Sequence, residues 1–261
     1  MVAQSGGFCD TVRMIIEYAN KHRWYKTLQA DPLEGFGENS QARIKSTLKK
    51  VSSVGVVTTI QPLTKELLAE FLPIYKEEID RKDNPKIFDV EEKTLGSAAS
   101  RYPYFYLSLH EKGAHLGGTI FAERPDALFV SYRAYRPDWQ ETKLQAKPAL
   151  YAEYITANHA VRLGKSRISH GRDRNPYGLN ANIGLAAFKL AIGCRVYMLE
   201  EFELNQIDTD TIETDALVLQ YPGDSIERIS KAFLITTKNT EHKWLQVTKY
   251  PQALEVETIY R

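Results

Sequence analysis

The residues whose side chains are best suited to catalysis or binding lie together in one polar segment. It spans residues 169–182 and has the sequence SHGRDRNPYGLNAN. Imidazole and carboxylate groups accept protons in enzymes, so His170 and Asp173 are candidate general bases. Tyr177, or Tyr132 outside this segment, is a candidate proton donor to a leaving group. Guanidinium and amide groups bind anions and orient substrates; the candidates for substrate binding are Arg172, Arg174, Asn175 and Asn180. The alternative is a structural loop in which Asp173 pairs with an arginine and the asparagines cap the next helix.

A second candidate, Lys189, lies within the apolar stretch of residues 184–193. A lysine in such a stretch either occupies the solvent-facing side of an amphipathic helix or directs its charge into a cleft. The sequence leaves both interpretations open, because only the geometry of the helix decides between them.

Several kinds of site are excluded by their missing motifs. His110, His115 and His159 have no partner at the spacing of known metal motifs, so no metal is expected. The nucleophile motif G-x-S-x-G and the nucleotide motifs G-x-G-x-x-G and G-x-x-x-x-G-K-[ST] do not occur. Cys9 and Cys194 are far apart in the chain, which gives no support for a disulfide framework.

The elements around the polar segment predict a mixed central sheet. Three strand-like runs follow one another after short turns, so they must pair antiparallel; they span residues 104–110, 116–122 and 127–135. The pattern then changes to helix, strand, helix and strand, a β-α-β-α-β run that favours parallel pairing. The predicted class is therefore α+β or α/β with flanking helices. The polar segment follows the strand at 167–169, at the strand edge where open sheets bind ligands, and we expect it to line a gap where two strands part.

The flanking stretches extend this domain, which covers residues 54–200. Residues 1–53 are predicted to be a helical extension, because Val12, Ile15, Ile16 and Ala19 recur at helical spacing and Ile44 begins a second apolar stripe. Residues 201–261 are predicted to be a β-rich extension of the same sheet.

Composition favours a globular protein without a dominant charge. The 261 residues contain 34 Lys and Arg against 33 Asp and Glu, a net charge of +1, with 43% hydrophobic residues. The longest apolar run is four residues, whereas a membrane-spanning helix needs about 20, so no membrane insertion is expected. Because the N-terminus has no basic residue before Arg13 and no apolar core, we expect no signal peptide and a cytoplasmic location.

The ordered pattern resembles the acyl-CoA N-acyltransferase fold of the Gcn5-related N-acetyltransferase (GNAT) superfamily. Within it, the chain is most similar to Fem-type aminoacyltransferases and their stand-alone relatives. The residues that carry this resemblance are Leu116-Gly-Gly118, Tyr132, Gly164, Ser169-His-Gly171, Gly184-Leu-Ala-Ala-Phe-Lys189 and Gly193.

The resemblance implies a transferase that moves an acyl group from a thioester, acyl-CoA, to an amine or hydroxyl of a small-molecule acceptor. Two alternatives stay open: an aminoacyl-tRNA donor, for which residues 43–50 and 162–174 supply basic clusters, and a binding module without catalysis. The resemblance also implies an active-site role for Lys189. A homodimer is one option for the assembly.

One departure from the superfamily affects cofactor binding. GNAT enzymes hold the coenzyme A pyrophosphate with a glycine-rich loop, but residues 136–147 contain no glycine. Side chains would have to replace those backbone contacts, and the candidates are Tyr132, Arg136, Lys143 and Lys147.

Overall fold

The computed structural model describes residues 14–81, 88–96, 101–136, 144, 146–175, 177–179, 181–223 and 228–261. They form two compact units. The larger unit comprises residues 24–171 and 191–194, and the smaller unit comprises the described residues of 14–23, 172–190 and 195–261.

The strands, in chain order, are β1 (Ile15–Ala19), β2 (His22–Thr27), β3 (Val56–Pro62), β4 (Tyr104–Glu111), β5 (Ala114–Glu123), β6 (Ala127–Tyr135), β7 (Arg167–Ser169), β8 (Arg195–Met198), β9 (Leu204–Asp208), β10 (Ala216–Leu219), β11 (Arg228–Ile229), β12 (Lys231–Thr236) and β13 (Glu255–Tyr260). The helices are α1 (Glu38–Lys50), α2 (Lys65–Asp80), α3 (Val90–Thr94), α4 (Pro148–Arg162), α5 (Ile183–Ala191) and α6 (Glu241–Trp244).

The larger unit is built on a mixed sheet in which the strand order is β2-β7-β6-β5-β4-β3. The predicted antiparallel meander of β4, β5 and β6 is confirmed. The predicted parallel pairing across a helix is also confirmed, because β6 leads through α4 into β7, which runs parallel to it. This mixed α+β arrangement with flanking helices agrees with the predicted class.

Helices α2 and α4 cover this sheet, and alternate residues of β6 contact different helices. Tyr132 and Ala134 belong to the apolar cluster under α2, which includes Phe71, Ile74 and Tyr106. Arg133 instead contacts a side chain of α4. Because successive side chains of a strand point to opposite faces, the two helices lie on opposite faces of the sheet. Burial of each large apolar side chain in such a core contributes about 1.5–3 kcal/mol.

The predicted first helix is wrong where the structure describes it, because Ile15–Ala19 form the strand β1. The next segment, His22–Thr27, is also a strand, with His22, Trp24 and Lys26 buried at every second position. Two of those three buried residues are polar, so the alternation does not appear in a hydropathy pattern. The second predicted helix is confirmed as α1.

Strand β2 also changes the predicted continuation of the parallel sheet. The residues Tyr25, Lys26 and Thr27 pair antiparallel with β7, on the side of β7 opposite to β6. The expected parallel neighbour of β7 is therefore replaced by a strand from the N-terminal stretch.

In the smaller unit, β10, β12 and β13 form a three-stranded sheet of their own, and β1 pairs antiparallel with β9. The prediction that residues 201–261 extend the main sheet is therefore wrong for these strands. The apolar cluster of this unit contains Ile16, Leu179, Val218 and Phe233, which joins segments that are far apart in sequence. Among the described helices, none is long and apolar enough to cross a membrane.

Candidate active site

The neighbouring parallel strands β6 and β7 stay together for only three residue pairs. Ala127, Leu128 and Phe129 pair with Arg167, Ile168 and Ser169, and there β7 ends. Strand β6 continues to Tyr135, and its pairing with β5 shifts register so that Ser131 is an extra residue. Such a bulge bends a strand and increases its twist. Within the described residues, no strand therefore pairs with the β7-facing edge of β6 beyond Phe129.

Three polar side chains meet beside this unpaired edge: Arg133 of β6, Glu153 of α4 and His170, which directly follows β7. The guanidinium of Arg133 donates to Glu153 Oε2 at 2.8 Å and lies 2.6 Å from His170 Nδ1. His170 Nε2 is 3.1 Å from Glu153 Oε1. The side chains of Glu153 and His170 are 1% exposed, whereas that of Arg133 is 18% exposed. Arg133 is therefore the member of the cluster that a ligand can reach.

The contacts of Arg133 fix the protonation of His170. A guanidinium has only donor hydrogens and stays charged, so His170 Nδ1 must be the acceptor in their contact. The imidazole proton then lies on Nε2 and faces the carboxylate of Glu153.

Glu153 is ionised despite its burial. Burial alone would raise the pKa of this carboxyl group, but its electrostatic interactions with His170 and Arg133, the hydrogen bond from His170 and the charge of Lys26 together lower it to about 2. The sequence contained a signal for this residue: Glu153 lies on the buried face of α4 with Leu150 and Ala157. A carboxylate on an apolar helix face is rarely buried without a partner.

Lys26 is a further buried group that the sequence reasoning missed. It lies on β2, its side chain is fully buried, and its Nζ is 3.0 Å from the centroid of the Phe36 ring. Within the described part of the chain, its ammonium has no hydrogen-bond partner. Burial lowers the pKa of Lys26 to about 8, against the attraction of Glu153.

Two predicted catalytic residues, Asp173 and Lys189, meet in the smaller unit. Asp173 Oδ1 is 3.5 Å from Lys189 Nζ and 3.5 Å from His22 Nε2, and all three side chains are buried. Asp173 Oδ2 also accepts from the backbone N–H of Asn182 at 3.3 Å. The interpretation of Lys189 as a solvent-facing residue is therefore wrong. Burial lowers the pKa of His22.

The other residues of the polar segment have varied surroundings in the smaller unit. Tyr177 Oη accepts from the backbone N–H of Thr214 at 2.5 Å, and Asn175 Nδ2 donates to Leu217 O at 3.4 Å. Both contacts connect the segment to the neighbourhood of β10. Arg172 and Arg174 are exposed, and Asn180 lies outside the described residues.

Among the described residues, no hydrogen bond, ion pair or ring contact joins the predicted cofactor-binding residues to one another. Tyr132 is half-buried against the rings of Tyr75 and Phe88, and burial raises its pKa to about 12. Arg136 and Lys147 are exposed, Arg136 just after β6 and Lys147 just before α4. Lys143 lies outside the described residues.

Comparisons with known proteins support the fold. No protein-family model and no curated protein matches the chain. The crystal structure of FemX matches 72% of this chain with a TM-score of 0.52 and 14% sequence identity, over 61% of the FemX chain. The chain thus shares a mixed α+β fold with FemX.

Two further structures are similar at lower scores. L-PGS from Bacillus licheniformis matches 60% of this chain and 46% of its own, with 15% identity and a TM-score of 0.39. A tandem GNAT protein from the clavulanic acid biosynthesis pathway matches 74% of this chain and 54% of its own, with 12% identity and a TM-score of 0.35. In each comparison the match spans less than two thirds of the other chain.

Proposed function

We propose that this protein is an acyltransferase whose reaction centre is the unpaired edge of β6 beyond Phe129. The observation that carries the proposal is the early end of the β6–β7 pairing beside a fixed, partly exposed guanidinium, that of Arg133. An extended acyl donor can hydrogen-bond to an unpaired strand edge as an added strand would. The carbonyl group of an acyl donor bound along this edge would then lie near Arg133.

The reaction needs stabilisation of negative charge on that carbonyl oxygen. The nucleophile attacks the acyl carbon, a C–N or C–O bond forms, and the carbonyl oxygen becomes an oxyanion before the bond to the leaving group breaks. Arg133 is the group proposed to bind the oxyanion, because its charge is permanent and Glu153 already holds its orientation.

The nucleophile must also lose a proton, and His170 is the proposed acceptor. In the free protein its Nδ1 contacts Arg133. When the donor carbonyl takes over that guanidinium hydrogen, Nδ1 becomes available to accept the proton, and Glu153 stabilises the resulting imidazolium. The imidazolium then gives this proton to the thiolate that leaves the acyl carbon, which releases the free thiol and restores neutral His170. The catalytic roles predicted for Asp173, Tyr177 and Lys189 remain proposals, and their internal contacts favour positioning of the polar segment.

The leading donor is an acyl thioester, with Arg136, Lys143 and Lys147 proposed as ligands of its phosphates. The second candidate donor is aminoacyl-tRNA. One observation supports the aminoacyl-tRNA donor. Helix α1, in the same unit as the proposed reaction centre, exposes four basic side chains: Arg43, Lys45, Lys49 and Lys50. Phosphate backbones bind to clusters of basic side chains.

The proposal is tested by Arg133→Gln, with thiol release from acetyl-CoA measured over a panel of amine acceptors. Loss of one oxyanion donor should lower kcat by about 100-fold or more. Arg133→Lys keeps a charge but not the fork geometry and should give an intermediate rate. The matched control is Arg101→Gln, since Arg101 is exposed in the same unit and its guanidinium interacts with the hydroxyl and ring of the neighbouring Tyr102.

The role of Arg133 would be refuted by a folded Arg133→Gln protein whose turnover stays within about threefold of wild type, because that corresponds to only about 0.6 kcal/mol of barrier. Folding is checked by the melting temperature of each variant.

A further inference from the structure

The hairpin of β4 and β5 brings two histidines together near its turn. The central turn residues, Lys112 and Gly113, have φ values of 49° and 85°, as tight hairpin turns require. A register shift after Leu109 then pairs His110 with His115, and their ring centroids are 5.0 Å apart. Both side chains are partly exposed.

A carboxylate from another element completes this group. Glu70 lies on α2, and one ligand atom from each of Glu70, His110 and His115 lies within 4.8 Å of the others. The sequence could not suggest this group, because the two histidines are neighbours across a hairpin and Glu70 lies 40 residues upstream of His110. Common metal motifs space their ligands along one helix or loop instead.

We propose that Glu70, His110 and His115 bind a divalent transition metal ion of the zinc type. Two imidazole nitrogens and one carboxylate oxygen are a ligand set that zinc uses, with water in the fourth position. Zinc bonds of about 2.0–2.2 Å require ligand atoms closer together than 4.8 Å. Glu70 is exposed and has the rotamer freedom to make that adjustment.

A buried tyrosine supports one of the ligands. Tyr106 Oη is 2.7 Å from His115 Nε2. Burial raises the pKa of Tyr106, so its hydroxyl stays neutral. Metal-bound histidines generally use their second nitrogen to contact such a group, which fixes the orientation of the ring. The Tyr106 contact engages Nε2, and the ring of His115 also hydrogen-bonds to the backbone of Glu70. A metal ion at Nδ1 of His115 would therefore replace that backbone contact.

The local charges predict reversible binding. Glu70 supplies one negative charge, and Arg136 is a positive charge that acts on His115. Hard cations such as magnesium prefer sites with only oxygen ligands. We therefore expect selectivity for zinc over magnesium.

The test is calorimetric titration of the metal-free, untagged protein with zinc chloride and, separately, with magnesium chloride. Wild type should bind one zinc ion, with a rise in melting temperature at excess zinc, and should not bind magnesium. Affinity for zinc should fall at least tenfold in His115→Ala and in His110→Ala. His159→Ala is the matched control, because His159 is a partly exposed histidine of the same unit outside the group, and it should keep wild-type affinity.

A second variant tests the contact between Tyr106 and His115. Tyr106→Phe leaves all three ligands in place but removes the hydroxyl next to Nε2, and zinc affinity should fall by about 10-fold or more. The proposal is overturned if wild type takes up no zinc at millimolar concentration, or if His115→Ala binds zinc as well as wild type does. Activity of the Arg133 centre is not needed for either result.

Discussion

At the residue scale, the buried carboxylate of Glu153 orients the side chains of Arg133 and His170. It contacts both of them, and Lys26 adds a further positive charge that acts on it. One buried anion thus compensates several cationic or protonatable groups. A buried ion cluster of this kind is strongly destabilised when one partner is removed, because the remaining charges lose their compensation.

We therefore expect Glu153→Gln to lower the free energy of unfolding by about 3 kcal/mol or more at pH 7. The pKa of Glu153 is lowered to about 2 from 4.5, so its contribution is complete above pH 4.5 and is lost as the pH falls towards 2. The difference between wild type and variant should therefore shrink between about pH 4.5 and pH 2. Urea unfolding at several pH values measures it.

The matched control for this experiment is Glu123→Gln. Glu123 also pairs with a cation, Lys165, at 2.9 Å, but its side chain is 28% exposed. Such a pair contributes about 0–1 kcal/mol. Equal losses in the two variants would contradict the proposed importance of the buried cluster.

At the element scale, β2 and α4 position the site because each buries polar side chains in an otherwise apolar surface. Strand β2 buries Lys26 and α4 buries Glu153, and both lie beside the end of the short strand β7. The bulge at Ser131 in β6 completes the arrangement, because it bends the strand where its partner stops.

The three-stranded sheet of the smaller unit depends on one carboxylate. Asp215, just before β10, accepts hydrogen bonds from Thr236 at 3.0 Å, Thr240 at 3.1 Å, Trp244 Nε1 at 2.6 Å and Arg261 at 3.2 Å. Burial would raise its pKa, but these hydrogen bonds lower it. Asp215 therefore links β10 with the end of β12, with α6 and with the C-terminal Arg261.

Asp215→Asn should destabilise the protein by about 2 kcal/mol, because hydrogen bonds to a charged group are worth about 1.5–3 kcal/mol. Since the pKa is lowered on folding, this stabilisation is present above the unfolded pKa and disappears in acid. Unfolding followed by tryptophan fluorescence measures it. Asp210→Asn, at an exposed aspartate of the same unit, should change stability by less than about 0.5 kcal/mol. A similar loss in both variants would refute the assignment.

At the scale of the whole molecule, a net charge of +1 conceals a local cluster of exposed basic side chains on α1. The four basic side chains of α1 all face solvent, while the helix buries Ile44 and Thr47. Charge segregation of this kind creates local fields that the net charge does not reveal.

This charge pattern allows the two candidate donors to be distinguished. If four phosphate contacts form on α1, affinity for tRNA should fall about 50- to 150-fold between 50 and 200 mM salt, and the quadruple Gln variant of Arg43, Lys45, Lys49 and Lys50 should lose that dependence. If the donor is an acyl thioester, the same variant should keep wild-type turnover of acetyl-CoA. Fluorescence anisotropy of labelled tRNA and thiol release provide the two measurements.

The sequence alone predicted the parts of the fold that local patterns determine. The meander of β4 to β6, the helix α4 closed at Gly164 and the parallel return into β7 all follow from apolar periodicity and turn residues. It also directed attention to His170, which directly follows the strand that ends early. In contrast, β2 was missed, because burial of His22 and Lys26 gives it no apolar alternation.

Only the tertiary structure decided which polar groups meet. Glu153, Arg133 and His170 come from a helix, a strand and a loop, and Glu70, His110 and His115 come from a helix and a hairpin. His170 and Asp173 are three residues apart in sequence but belong to different units, each with its own buried partners. The physical reason is that hydropathy patterns report the burial of apolar surface. A buried charge is stabilised by a particular partner, and the fold alone brings that partner within hydrogen-bonding distance.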